Sequence, residues 1–242
     1  MFRAIIFDFN GVIADDETPH LFCFQQALEE QGLSMTKEEY YGRYLGMDER
    51  TCATALLSLR DGHCNRRLLQ TLIERKAELF RKHTASHQPQ LFPGVVEFVK
   101  QVGPQYRLAI ASGGRREQIN AALRNTPIEE DFSVIVSADD CATGKPDPAI
   151  YSYTLTLLNA KEPRPPLVTA AECLVVEDSM AGIRSAKAAG MRVLAVSTTY
   201  PIEKLSEADL VLPVLDGAAL NRVVDHFSSK SPLEPSPSQP ST

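Results

Sequence analysis

Four short polar segments of the sequence carry residue types suited to phosphate and metal chemistry. They are Asp8-Phe9-Asn10-Gly11-Val12, Ser112-Gly113-Gly114, Gly144-Lys145-Pro146-Asp147 and Glu177-Asp178-Ser179. Each comes after a run typical of a buried β-strand, and the ends of parallel strands lie along one edge of a sheet, where ligands bind. The sequence therefore predicts that these segments, far apart in the chain, form one site.

The acidic members of these segments predict a metal. In one crevice, the carboxylates of Asp8, Glu177 and Asp178 would repel one another unless a cation offset their charge. A set of oxygen ligands suits Mg²⁺. The alternative for Glu177 and Asp178 is a pair at the protein surface, which avoids this repulsion.

The remaining members predict a phosphate. Ser112 and the backbone N–H groups of Gly113 and Gly114 can cradle a phosphate at the start of a helix. Lys145 can neutralise both the phosphate and Asp8. The simpler roles are a helix cap for Ser112 and a solvated ammonium group for Lys145.

A parallel α/β fold would bring these segments together, and the sequence pattern predicts one. Short apolar runs at residues 5–7, 107–111, 133–136, 173–176 and 192–196 alternate with helix-like sequence. Asp147 and Pro148 are typical of the N-cap and first position of a helix, and Gly190 of the position after a helix C-terminus. We expect a Rossmann-like, mostly parallel sheet.

The chain is predicted to have three parts. Residues 1–17 and 89–226 form the Rossmann-like core, and residues 18–88, which contain almost no strand signal, form an inserted all-helical cap over the sheet edge. The last cap helix carries the stripe Leu69, Ile73, Lys76 and Phe80, in which a lysine interrupts an inward-facing apolar surface. Residues 227–242 are rich in Ser and Pro and form a disordered tail.

Composition argues against several classes of partner. A net charge of -6 without a long basic run argues against nucleic acid. No apolar run reaches the roughly 20 residues of a membrane span, and the start of the chain lacks a signal-peptide pattern. The widely spaced cysteines are expected to be free thiols. We expect a cytoplasmic monomer or weak dimer that acts on a small phosphorylated metabolite and has no membrane partner.

In order and spacing, the four segments resemble the motifs of the haloacid dehalogenase-like (HAD) superfamily over about residues 1–216. The closest likeness is to its helical-cap subgroup, which includes β-phosphoglucomutase and phosphoglycolate phosphatase. The resemblance implies a phosphatase in which Asp8 attacks phosphorus and forms an aspartyl phosphate. It implies binding of Mg²⁺ by Asp8, the backbone carbonyl of Asn10, Asp178 and, directly or through water, Glu177. Ser112, Gly113 and Lys145 would bind the phosphate. Two other reactions of the superfamily explain these residues less well. Dehalogenation needs no metal, and phosphonoacetaldehyde hydrolysis would need a lysine in the cap, for which Lys76 is the candidate.

The sequence departs from this family at Asn10, where the family normally has an aspartate that protonates the leaving oxygen and later activates water. An amide can do neither, and losing a positioned acid and base costs about 10² to 10⁴ in rate. Asp16, where the family has Ser or Thr, could replace it, although we favour its simpler role as the N-cap of the first cap helix. Alternatively, the substrate has a good leaving group, such as an acyl or anomeric phosphate.

Two further alternatives would change the function itself. The protein could bind or sense a phosphorylated metabolite with little turnover. It could also be a phosphomutase-like enzyme, although both phosphoryl transfers of a mutase would use the missing aspartate.

Three cap residues are candidate substrate contacts. His20 lies at the start of the first cap helix, Arg50 lies near a helix N-terminus, where a cation hints at an anionic partner, and Lys76 lies on the inward stripe. The alternatives are a structural histidine, a salt bridge from Arg50 to a neighbouring acid, and a lysine stem that passes an apolar edge to reach water.

Overall fold

A six-stranded parallel sheet, covered by helices on both faces, forms the centre of the computed structural model. The structure describes residues 2–45, 47, 49–61, 64–86, 89–163 and 165–229. The strands are β1 (Ala4–Phe7), β2 (Ala14–Asp15), β3 (Gln90–Leu91), β4 (Arg107–Ala111), β5 (Val134–Val136), β6 (Cys173–Glu177), β7 (Arg192–Val196) and β8 (Leu210–Leu212). The helices are α1 (Glu17–Glu29), α2 (Lys37–Glu39), α3 (Glu49–Asp61), α4 (Arg66–Ser86), α5 (Val95–Val102), α6 (Arg116–Leu123), α7 (Ala149–Lys161), α8 (Met180–Ala188) and α9 (Ala219–Ser228). The order β5-β4-β1-β6-β7-β8 confirms the predicted Rossmann-like α/β fold.

All five predicted strands are present, and three short strands were missed. β8 is a three-residue edge strand that pairs only with β7 in the described sheet, so its sequence carries little periodicity. β2 and β3 pair antiparallel, with Ala14 opposite Leu91, where the chain enters and leaves the helical segment. This small ladder joins both connections between the sheet and the cap.

Alternate residues of β1 point to opposite faces of the sheet, as a strand buried on both sides requires. Ile5 and Phe7 belong to the apolar cluster that includes residues of α5, α6 and α9. Ala4 and Ile6 belong to the cluster on the other face, which includes residues of α7 and α8. The central strand is therefore fixed from both sides, and so is the residue that follows it.

The cap consists of α1 to α4 and has its own apolar cluster. Leu69, Ile73 and Phe80 of α4 are buried, as predicted, and Lys76 on the same stripe is only 3% exposed. The lysine therefore does not extend past an apolar edge into water, and that alternative is wrong. The division of the chain into separate domains at residues 17/18 and 88/89 stays a prediction.

Local predictions from sequence were mostly accurate. Gly190 follows α8 with φ +77°, as the C-terminal motif requires. α7 begins at Ala149, one residue later than predicted, so Pro148 is its N-cap, while Asp147 Oδ1 accepts the N–H of Ala149 at 2.8 Å. The five cysteines are thiols that form no disulfide with one another, as predicted.

The end of the predicted core also needs a correction. The tail was predicted to begin at Phe227, but Phe227 is helical and its ring packs edge-on to Phe2, with centroids 4.9 Å apart. The rest of the predicted tail, from residue 230 onward, lies outside the described residues. Within the described chain, no helix combines the length and the apolar character needed to cross a membrane.

The packing of Phe98 generates a stability prediction. Its ring is fully buried and edge-on to Phe7 of β1, with centroids 6.1 Å apart. Phe98→Ala is expected to lower the free energy of unfolding by about 3–5 kcal/mol, measured by urea denaturation, because it leaves a cavity beneath the central strand. Phe22→Ala is the matched control, since Phe22 is 58% exposed and its loss should change stability by less than about 0.5 kcal/mol. Equal losses in the two variants would contradict the assignment of this core.

Candidate active site

Three carboxylates converge where β1 and β6 end. These neighbouring strands pair in parallel with Phe7 opposite Val176, so Asp8 lies beside Glu177 and Asp178. One oxygen from each carboxylate lies within 4.8 Å of the others, and all three side chains are buried. The prediction that these distant segments converge is confirmed, and the alternative of a surface Glu177-Asp178 pair is wrong.

Lys145 is held between two of these carboxylates. Its Nζ lies 2.7 Å from Asp8 Oδ1 and 2.6 Å from Glu177 Oε1. Burial alone would lower the pKa of Lys145, but the charges of Asp8 and Glu177 raise it well above its usual value. Lys145 is thus a buried cation, and the alternative of a solvated ammonium group is wrong.

Glu177 is fixed by donors on both of its oxygens. Oε2 accepts the N–H groups of Asp178 and Ser179, each at 2.9 Å, and the hydroxyl of Ser179 at 3.0 Å. Oε1 also accepts the hydroxyl of Tyr151 at 2.9 Å. A Cβ at Gly182 would lie 1.6 Å from Oε1, so only glycine leaves room for this carboxylate. Glu177 therefore holds Lys145 in place against Asp8.

The charges of this cluster fit a divalent cation. Three carboxylates and one ammonium group leave a net formal charge of -2 in a buried space. Burial, reinforced by Glu177 and opposed by Lys145, raises the pKa of Asp8 to about 7. Burial and the charges of Glu177 and Asp8 raise the pKa of Asp178 well above its usual value. Hard oxygen ligands with uncompensated negative charge suit Mg²⁺.

Ser112 lies beside this cluster at the end of β4. Its Oγ donates to Asn10 Oδ1 at 3.2 Å and accepts the N–H of Gly114 at 3.0 Å. The next helix, α6, has Arg115 as its N-cap, so Ser112 is not a helix cap. Gly113 and Gly114 line the same cavity as Asp8.

The side-chain amide of Asn10 binds the carboxylate of Asp16. Asn10 Nδ2 donates to Asp16 Oδ1 at 2.9 Å and Oδ2 at 2.8 Å, and Asp16 is only 2% exposed. Although Asp16 occupies the N-cap position of α1, its side chain accepts no capping hydrogen bond from that helix. Asp16 is therefore the N-cap residue of α1, as we favoured from sequence, but its carboxylate binds Asn10 instead of an N–H group of the helix.

His20 and Lys76 continue this polar contact into the cap. Lys76 Nζ contacts His20 Nδ1 and pairs with Glu49 Oε1. Since an ammonium group only donates, Nδ1 of His20 is the acceptor and a neutral His20 carries its proton on Nε2, which lies 3.3 Å from Asp16 Oδ2. Burial opposes ionisation of Glu49, but the charge of Lys76 lowers its pKa below the usual value.

A cavity of about 90 Å³ joins the core and cap residues. His20 and Lys76 line it together with Asp8, Asn10, Lys145 and Asp178, whereas Asp16 is not among its lining residues in the described chain. Arg50 instead lines a neighbouring cavity of about 290 Å³, whose walls also include Arg115, Glu49 and Lys145.

Several residues of the site were missed from sequence. Tyr151 on α7 has the pattern of an ordinary core residue, and nothing in its spacing signals a bond to Glu177. Glu17, Tyr40 and Glu49 line the cavity as well. Glu17 directly follows Asp16, and Glu49 directly precedes Arg50, so both lie next to residues that the sequence already marked as candidates.

Comparison with known proteins identifies the family. A model of the haloacid dehalogenase-like hydrolase family matches residues 5–196. Protein CbbY of Rhodobacter capsulatus is 34% identical over 230 residues, which cover 91% of this chain and 97% of that protein. The phosphorylated carbohydrates phosphatase of Thermotoga maritima is 30% identical over 199 residues, 78% of this chain and 82% of that protein.

A solved structure agrees. An aspartate-to-asparagine mutant of CbbY from Rhodobacter sphaeroides, in complex with xylulose-(1,5)bisphosphate, has a TM-score of 0.76 and 26% identity, and covers 89% of this chain and 95% of that one. The chain therefore belongs to the haloacid dehalogenase-like hydrolases, and the prediction that it is an enzyme of the phosphatase type within this family is confirmed.

Proposed function

We propose that the protein is a Mg²⁺-dependent phosphatase that hydrolyses a small phosphorylated metabolite with Asp8 as the nucleophile. The observation that carries this proposal is the buried Asp8 carboxylate, oriented by Lys145 at 2.7 Å and facing a cavity enclosed by the cap. Two relatives, a phosphatase of phosphorylated carbohydrates and a protein bound to a sugar bisphosphate, support a phosphorylated sugar as the substrate class.

The reaction has two displacements at phosphorus. An oxygen of Asp8 forms a bond to phosphorus while the bond to the leaving oxygen breaks and that oxygen takes up a proton. Water then attacks the phosphorus of the aspartyl phosphate, which releases inorganic phosphate and regenerates Asp8. Lys145 neutralises charge on Asp8 and on the phosphoryl oxygens, and Ser112 with the backbone of Gly113 binds those oxygens.

Asp8, Asp178, the backbone carbonyl of Asn10 and, directly or through water, Glu177 would hold the Mg²⁺. When bound, the ion neutralises the phosphoryl oxygens and the carboxylates around them. The cluster of Asp8, Glu177 and Asp178 supports this assignment, because it carries more negative charge than Lys145 offsets.

Asp16 takes over the proton transfer that Asn10 cannot perform. It is a buried carboxylate in direct contact with Asn10, and its side chain accepts no capping hydrogen bond from α1. Asn10 and His20 line the cavity and Asp16 does not, so proton transfer between Asp16 and the leaving oxygen requires an intervening water.

The same separation favours one rival function. If no water bridges the gap, the aspartyl phosphate forms or decays slowly, and the protein binds a phosphorylated metabolite with little turnover. A substrate with a good leaving group, such as an acyl phosphate, would still be cleaved in the first displacement because it needs little protonation.

Mg²⁺ should stabilise the folded protein measurably. At about 100 times its Kd, the ion is expected to add about 2.7 kcal/mol to the free energy of unfolding, seen as a rise in Tm. Asp178→Asn should abolish this rise, while Asp225→Asn on the exposed surface of α9 should keep it. A wild-type Tm that is independent of Mg²⁺ would contradict the metal assignment.

Asp8→Asn should abolish phosphate release from p-nitrophenyl phosphate in a steady-state assay with Mg²⁺, because an amide is not a nucleophile toward phosphorus. Asp15→Asn is the control, since Asp15 is exposed and should be replaceable with less than about a threefold effect. Undiminished phosphate release by Asp8→Asn would show that another group attacks phosphorus.

The role of Asp16 can be tested by exchanging the two side chains. Asp16→Asn is expected to lower kcat on alkyl phosphates by about 10² to 10⁴, with a smaller loss on aryl phosphates, which need less protonation. The double variant Asn10→Asp/Asp16→Asn keeps one amide and one carboxylate in contact and should recover the rate. If Asp16→Asn leaves alkyl phosphate turnover unchanged, Asp16 is not the acid and base. A wild type that is inert on alkyl phosphates, beside a fast Asn10→Asp, would favour the binding role.

A further inference from the structure

The segment at residues 197–200 follows β7 and lies at the same edge of the sheet as the carboxylate cluster. β7 pairs in parallel with β6, with Glu177 opposite Ala195, so the residues after Val196 lie beside Asp178. The segment belongs to none of the four polar segments that the sequence analysis singled out, and the proposed reaction does not use it. A fifth strand end therefore reaches the candidate site.

Thr198 holds the loop that follows the nucleophile. Its Oγ1 donates to the carbonyl of Gly11. The N–H of Gly11, which belongs to the same peptide group as the carbonyl of Asn10, donates to the carbonyl of Ala14 at 3.0 Å. Gly11 has a φ of +78°, a conformation that glycine adopts without strain. Both sides of Gly11 are thus fixed, and with them the direction of the Asn10 carbonyl that would bind Mg²⁺.

Thr199 contacts the carboxylate of Asp178 at the same place. Burial raises the pKa of Asp178 well above its usual value, and a hydrogen bond from the Thr199 side chain partly offsets that rise. A Cβ on Gly11 would lie 2.0 Å from Asp178 Oδ2 and 2.9 Å from Thr199 Oγ1, so the carboxylate and the hydroxyl converge on the backbone of Gly11. The ion pairs of Lys145 are with the other two carboxylates of the cluster. Thr199, and not Lys145, is therefore the contact that orients Asp178.

Contacts on either side hold the two threonines in place. The N–H of Ser197 donates to the carbonyl of Leu212 in β8 at 3.0 Å, and its hydroxyl donates to the carbonyl of Tyr200, also at 3.0 Å. Tyr200 is buried, and its hydroxyl donates to the carbonyl of Leu45 in the cap at 3.1 Å. The segment is therefore anchored to the sheet at its start and to the cap at its end.

These contacts bear on metal binding because Mg²⁺ needs accurately placed ligands. Mg²⁺ demands near-octahedral oxygen geometry, whereas Ca²⁺ tolerates irregular ligand sets. Residues that hydrogen-bond to metal ligands hold them in the required geometry, and their loss typically weakens metal binding about 10- to 100-fold. Thr198 and Thr199 stand in this relation to two of the proposed ligands, the carbonyl of Asn10 and the carboxylate of Asp178.

We propose that Thr198 and Thr199 are positioning residues for the Mg²⁺ site. Thr199 orients the carboxylate of Asp178 directly, and Thr198 orients the carbonyl of Asn10 through Gly11. This inference rests on the Mg²⁺ site of the proposed function. Neither threonine binds the ion itself in this account, so loss of their hydroxyl groups changes the affinity and the selectivity of the site without removing a ligand.

The test titrates Mg²⁺ and Ca²⁺ separately into the metal-free full-length protein by calorimetry. Thr199→Val, which removes the hydroxyl and keeps the branched shape, is expected to weaken Mg²⁺ binding about 10-fold or more. Thr198→Val acts through Gly11 and should weaken it about three- to tenfold. Ca²⁺ binding should weaken only about twofold in either variant, because that ion tolerates displaced ligands.

Two further variants separate positioning from folding. Thr199→Ser retains the hydroxyl and should bind Mg²⁺ within about threefold of the wild type. Thr156→Val is the matched control, because Thr156 is exposed on α7 and its hydroxyl donates to the carbonyl of Ser152 in the same helix. This control should bind Mg²⁺ as the wild type does.

Other results would overturn the inference. Unchanged Mg²⁺ affinity in Thr199→Val and Thr198→Val, or an equal loss of Mg²⁺ and Ca²⁺ affinity that Thr199→Ser does not restore, would each contradict it. In those cases the wild type still binds Mg²⁺, so the proposed function is unaffected. A wild type that binds no Mg²⁺ would contradict both the metal assignment and this inference.

Discussion

The buried ammonium group of Lys145, which lies 2.7 Å from Asp8 and 2.6 Å from Glu177, is the contact on which the site depends. Without it, Asp8, Glu177 and Asp178 would be buried carboxylates with no compensating charge, and each such ion costs several kcal/mol to bury. Lys145 is in turn placed by α7, which packs on β4 and β5 and supplies Tyr151 to Glu177. The sheet, one helix and one loop thus determine where the nucleophile points.

The cap adds a second set of polar contacts, and its connection to the first is Asn10. The amide of Asn10 accepts from Ser112 on the core side and donates to Asp16 on the cap side. Asp16 leads on to His20, Lys76 and Glu49. An aspartate at position 10 would add another negative charge to an already acidic cluster, whereas the amide of Asn10 adds none. The nearby carboxylate is instead that of Asp16, which contacts Asn10 and is not among the residues that line the cavity in the described chain. The proposed proton transfer follows from that arrangement.

The positions of the core residues could be predicted because parallel strands bring their ends together whatever the intervening sequence does. Asp8 and Ser112 directly follow such strands and Glu177 is the last residue of one, and all three lie at the predicted edge. The sequence could not decide between the two candidate roles of Asp16, since Asp is a common helix N-cap and the contact with Asn10 is visible only in the structure. Tyr151 and Tyr40 were missed because an aromatic residue on a helix is indistinguishable from core until its hydroxyl has a partner. β8 was missed because three residues give too little periodicity.

The central claim is that Asp8 carries the phosphoryl group during the reaction. The most direct measurement is rapid acid quenching of the protein after mixing with Mg²⁺ and a phosphorylated substrate, followed by proteolysis and mass analysis of the peptides. The account predicts a single added phosphoryl group on the peptide that contains Asp8, absent from the Asp8→Asn variant. A phosphoryl group on another residue, or hydrolysis that proceeds with none bound to the protein at any quench time, would contradict it.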